Sequence, residues 1–125
     1  MPVIQEALNL GDLLKYEASQ LYSRDQVTVL AGEVLPLGAV VGRVSASGKV
    51  KALDPIATDG SEIAVGVLIA PQDALAGDQT DGLIIARHAI VADHALTWPA
   101  GITPLQKATA LHQLNALGIL VRSGA

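Results

Sequence analysis

The amino-acid sequence predicts an α+β fold that is mostly β: a small barrel or ribbon of short strands, closed by one C-terminal helix. Three observations carry this. From Val27 onward, short runs of Val, Ile and Leu recur between turns rich in Gly, Pro, Asp and Ser, which is the spacing of a β-ribbon or barrel. One stretch alone, Thr103 to Gly118, carries both a helix start and a helix stop. The chain has 125 residues, room for one modest core and therefore one domain.

Residues 1–24 read differently from the rest. Val3, Ile4, Leu8, Leu10, Leu13 and Leu14 are interrupted by Glu6, Asp12, Lys15 and Glu17, and neither the helical nor the strand period holds for long. Only Leu14-Lys15-Tyr16-Glu17 alternates in an extended manner. The segment has too few apolar groups in register to bury itself, which is the composition of an arm that orders on binding, or of a frayed terminus. Residues 25–125 form the body.

In the body, Val27-Thr28-Val29-Leu30 is the first strand, and further strands are expected over residues 34–37, 38–44 and 50–53, separated by Pro36, Gly38 and the Ser45-Ala46-Ser47-Gly48 turn. Asp54-Pro55 and Asp59-Gly60 are turn dipeptides bracketing a loop before the strongest strand, residues 63–69. Gly66 at its centre marks a bulge or a close backbone approach. Residues 71–82 read as a solvent loop, after which Leu83-Ile84-Ile85-Ala86 resumes the sheet and Ile90-Val91 adds a short strand.

The helix is signalled by a capping box, Thr103 with Gln106 three residues on, by Pro104 at the first helical position and by Gly118 at a left-handed C-terminal position. Ala110, Leu111, Leu114 and Leu117 share its inward face, with Gln106, Gln113 and Asn115 off it. Ile119-Leu120-Val121 is the last strand.

Half the residues are hydrophobic, 16% are charged and 2% are aromatic with no Phe, so the interior is built from Ala, Val, Leu and Ile. So lean a charge content implies apolar surface covered by other copies or by a larger partner, hence an oligomer. Lys and Arg number 8 against 12 Asp and Glu, scattered without a basic run, which argues against nucleic acid as a direct ligand. With no cysteine there are no disulfides and no thiolate chemistry. The first ten residues lack a cationic start, and no apolar stretch approaches the ~18 residues of a membrane span, so the expected compartment is the cytoplasm, without membrane association.

Catalytic motifs fail on their mechanics. Gly42 to Lys49 has one residue too many between its glycines for a P-loop, and Val50 replaces the magnesium-binding hydroxyl. Neither a dinucleotide glycine fingerprint nor a nucleophile elbow is present. His88, Asp93 and His94 are close in sequence, but their spacing does not aim both imidazoles at one point. His112 falls on the exposed side of the helix. Asp54, Asp59, Asp73, Asp78 and Asp81 each sit beside turn formers and serve turns. No metal or cofactor is expected. Trp98, before Pro99 and Gly101, is either a core plug anchoring that turn or an interface residue.

Three stretches together resemble the head decoration proteins of tailed bacteriophages, the lambda protein D group. They are SRDQVTVLAGEVLPLGAVVGRV from Ser23, ALDPIATDGSEIAVGVL from Ala52 and ALTWPAGITPLQKATALHQLNALGILVR from Ala95. The resemblance implies a β-clip type subunit forming a homotrimer on the outside of the capsid at three-fold positions, with no enzymatic activity. It further implies an arm over residues 1–24 that orders against the major capsid protein once the shell expands, with Leu13, Leu14, Tyr16 and Tyr22 as its contact residues and strand addition as its mode. Trp98 and Pro99 become candidates for the trimer or capsid interface, and the virion exterior becomes the location. A different reading, a small trimeric β-barrel enzyme with an intersubunit site, would use His88, Asp93 or Asp59. A third, a carrier domain, would be modified on Lys49.

Overall fold

A computed structural model of the chain describes residues 10–123. In chain order the elements are α1 (Leu10–Leu13), β1 (Leu14–Glu17), α2 (Gln20–Ser23), β2 (Arg24–Val29), β3 (Val34–Leu35), β4 (Val40–Arg43) and β5 (Val50–Ala52). There follow β6 (Ala64–Leu68), β7 (Gln72–Asp73), β8 (Gln79–Ile85), β9 (Ala89–Ala92), a 3-10 turn (Asp93–Ala95), α3 (Pro104–Ala116) and β10 (Ile119–Arg122).

Strands β2, β5, β4, β6 and β8 close into a barrel in that order. A three-stranded sheet, β1-β9-β10, lies beside it, with β1 antiparallel and β10 parallel to β9, and β3 pairs with β7 as a small ribbon. The mostly β composition and the single longer helix agree with the sequence reading.

Two cores explain why several strands read as unbroken apolar runs. Side chains alternate across a strand, and here both faces are covered. Val41, Leu68 and Ile84 point into the barrel with Val29 and Val50, whereas their neighbours Val40, Val67 and Ile85 point outward into a second cluster with Leu114, Val91 and Ile119. Helix α3 and the three-stranded sheet supply the cover for that outer cluster. All of these side chains are essentially fully buried.

Helix α3 begins as its sequence specifies: the Thr103 hydroxyl accepts from the Gln106 N–H at 3.1 Å, and the Gln106 side chain accepts from the Thr103 N–H at 3.0 Å. Gly118 follows its end with a φ of 82°, the left-handed conformation expected there. One detail differs from expectation. Gln113 is not turned away from the protein, because its Oε1 accepts from the backbone N–H of Ala64 at 2.8 Å and so terminates the start of β6.

The long loop expected over residues 71–82 is shorter than its composition suggests. Gln72–Asp73 forms β7, and β8 already starts at Gln79, where polar residues occupy exposed positions of a strand paired with β2. Thr80 and Asp81 are both exposed at the start of this strand, so polar side chains there do not exclude pairing. Gly66 does mark a close approach: a Cβ there would lie 2.5 Å from the Ile85 carbonyl oxygen, inside the β6–β8 pairing.

Candidate functional site

The described part of the leading segment is folded onto the body, which its interrupted apolar pattern did not predict. Leu13 is fully buried in the outer cluster, Leu10 and Leu14 pack against that cluster, and β1 pairs with β9 through Leu14–Val91, Tyr16–Ile90 and Glu17–Ala89. The reason is spatial. The segment's few apolar residues are too sparse to make a core, yet enough to complete one that the barrel and α3 have already built. Residues 1–9, where the arm expectation also falls, lie outside the described residues.

A polar clasp holds this segment at its C-terminal end. Arg24 donates to Glu17 from Nε at 3.0 Å and from Nη2 at 2.6 Å, and the fully buried Ser23 donates its hydroxyl to Glu17 at 2.7 Å. Glu17 and Arg24 are largely shielded from solvent, at 12% and 19% side-chain exposure, so the pair is desolvated enough to matter. The hydrogen bond from Arg24, followed by that from Ser23 and the charge of Arg24, outweighs burial and holds the Glu17 carboxyl below its ordinary range. Ala18 N–H donates to the His88 carbonyl at 3.0 Å, which ties the clasp to the turn between β8 and β9.

Around that turn the surface combines aromatic and charged groups. Tyr22 meets the His88 ring edge-on at 5.0 Å between centroids, and the Arg87 guanidinium lies 5.6 Å from the Tyr22 ring centre. Arg87 is itself held by Asp25 through bonds of 2.8 and 3.1 Å and by the Tyr22 carbonyl. Of the four expected arm contacts, Leu13 is interior and Leu14 half-buried, whereas Tyr16 and Tyr22 are 59% and 49% exposed. Leu21, which the sequence reading did not single out, stands 99% exposed on α2 between them in the chain. An apolar residue flanked by polar ones in a four-residue helix leaves no periodic signal by which to find it.

Trp98 is half-buried and packs against the outer cluster, with the Lys107 ammonium 5.3 Å from its ring centre. Its indole N–H is sealed from solvent and has no hydrogen-bond partner. The ring is thus partly covered by its own chain, while the neighbouring Pro99 lines an open hollow.

The residues of the enzymatic alternative are not brought together. His88 precedes β9 and Asp93 follows it, five residues apart along extended chain and so roughly 16 Å from each other. Asp59 is engaged locally, accepting from the Ser61 hydroxyl at 2.5 Å and its N–H at 3.0 Å, which keeps its carboxyl below the ordinary range. Lys49, the carrier candidate, pairs with Asp78 at 2.5 Å. Among the described residues no group of three His, Asp or Glu side chains is placed to hold a metal ion, and no helix is long and apolar enough to cross a membrane.

The family model of the bacteriophage lambda head decoration protein D matches residues 3–119. The chain belongs to that family. No curated protein matches it individually. Head decoration protein D is a structural protein of the phage head, and membership therefore means capsid decoration and a place in the virion rather than catalysis. The match includes the leading segment as well as the body, so strand β1 and the clasp at Glu17 lie within the matched residues.

Proposed function

We propose that the protein is a cementing subunit: a homotrimer that binds the exterior of the expanded head at three-fold positions and strengthens it against the pressure of packaged DNA. The partner is the major capsid protein, with host cytoplasm as the place of assembly. The family match supports decoration itself, and one structural observation supports where docking occurs. Tyr16, Leu21 and Tyr22 expose aromatic and aliphatic surface on a short segment whose neighbours Leu13, Glu17 and Ser23 fix it to the body.

Residues 1–24 are the docking arm in this reading. Leu13 and Leu14 anchor it, Tyr16 and Tyr22 face the capsid, and β1, which among the described residues pairs on one side only, leaves an edge to which a capsid strand adds. Binding only the expanded shell stabilises that state by mass action, by about 2.7 kcal/mol at a hundredfold excess of free protein over its dissociation constant. Three arms on one trimer raise the local concentration of the second and third contacts after the first has formed.

Alanine at both Tyr16 and Tyr22 tests the docking surface. Both side chains are half-exposed, so the double variant should fold normally while its binding to expanded heads falls at least tenfold in a sedimentation assay. Binding at the wild-type level would reject this surface.

A further inference from the structure

The docking surface proposed above depends on α2, and α2 holds itself poorly. Its four residues, Gln20 to Ser23, make barely one turn, and Ser19 before them forms no side-chain capping bond. A helix of this length has too few internal bonds to persist alone. Its two exposed apolar side chains, Leu21 and Tyr22, nonetheless stand at 99% and 49% exposure. Contacts from outside the helix must keep them in place.

Arg87 reaches α2 from the end of the barrel. The Ala86 N–H donates to the Ser23 carbonyl at 2.8 Å, which continues the β2–β8 pairing to the foot of α2 and sets Arg87 beside it. Arg87 Nη1 donates to the Tyr22 carbonyl, and its guanidinium lies 5.6 Å from the centre of the Tyr22 ring, so backbone and side chain of one helix residue are gripped together. Asp25 on β2 fixes the same guanidinium through a fork of 2.8 and 3.1 Å. His88, next in the chain, meets the Tyr22 ring edge-on at 5.0 Å. Its imidazole has room because residue 118 is glycine, where a Cβ would lie 2.5 Å from the His88 Cδ2.

We infer that Arg87 is a positioning residue for capsid docking: it brackets α2 against the barrel, so that Leu21 and Tyr22 are already arranged when the head is met. A surface arranged in advance loses little conformational freedom on binding. The role requires a planar cation. A guanidinium can fork onto Asp25, donate to a carbonyl and lie over a ring in one position, which an ammonium on a flexible stem cannot. The pair with Asp25 is about a third exposed on both sides, at 33% and 37%, so it adds little to global stability and its effect is local to α2. The inference rests on the docking surface proposed above and names the residue that holds it.

Arg87→Lys keeps the charge and removes the bracket. In the free protein it should speed hydrogen exchange of the Tyr22 and Ser23 amides, which donate to the Ser19 carbonyl at 2.8 and 2.9 Å, by about tenfold, while the Ile84 and Ile85 amides keep their rates. Its binding to expanded heads, read by sedimentation, should weaken about tenfold with an unfolding midpoint close to that of the wild type. In a Leu21→Ala, Tyr22→Ala background the same substitution should change binding by less than about twofold, because nothing is left to position. Unchanged exchange or unchanged binding in the Arg87→Lys protein overturns the inference, and so does an equal loss in both backgrounds, which would mean that Arg87 touches the head itself. Weakened Leu21→Ala, Tyr22→Ala protein beside a wild-type-like Arg87→Lys rejects the bracket alone. Wild-type binding by the Leu21→Ala, Tyr22→Ala protein rejects the docking surface, and this inference with it.

Discussion

Leu13 shows how one side chain decides what the leading segment is. It is completely buried, in contact with a cluster that the barrel, β9 and α3 share. Its replacement by Ala should cost about 2–5 kcal/mol, read as a lower denaturation midpoint at constant slope; a change within 0.5 kcal/mol would show that the residue is not packed there. Glu17 supplies a pH signature. Its carboxyl is held below the ordinary range in the folded protein by Arg24 and Ser23, so its stabilisation is complete above the unfolded value and disappears as pH falls through the folded one. Between about pH 5 and pH 3 the wild type should therefore lose stability more steeply than Glu17→Gln, and parallel profiles would contradict the clasp. At Gly66, Ala is expected to destabilise, because its Cβ would meet the Ile85 carbonyl within the barrel.

Elements were legible to different degrees. Helix α3 could be placed to the residue because its signals are local: Thr103, Pro104, Gln106 and Gly118 each act on the backbone within one turn. Removing the Thr103 hydroxyl should accordingly cost about 1 kcal/mol in a thermal or denaturant unfolding series, within the range for N-caps. The barrel strands were visible as apolar runs, since Val40-Val41, Val67-Leu68 and Ile84-Ile85 are buried on both faces. What the sequence concealed depends on distant partners. Gln79 to Asp81 belong to a strand because β2 lies alongside, and Gln113 turns inward because the Ala64 N–H needs an acceptor. The leading segment was hardest, since Leu13 belongs to a cluster whose other members, Val91 and Leu114 among them, lie far along the chain. Deleting residues 1–22 should thus remove β1 and part of the core and lower stability by several kcal/mol. An unfolding midpoint equal to that of the full chain would contradict the docked arrangement.

At the scale of the whole molecule, the composition and the family agree on a protein that acts by contact. A net charge of −4 without a basic run suits a protein partner better than DNA. A chain with half its residues hydrophobic still exposes Tyr16, Leu21 and Tyr22 on one short segment, which an interface to the capsid would cover. The central claim is tested most directly by mixing the purified protein with matched phage heads before and after expansion and imaging the shells by electron microscopy. The account predicts added density at three-fold positions of expanded heads only; bare expanded heads at saturating protein, or equal decoration of both forms, would contradict it.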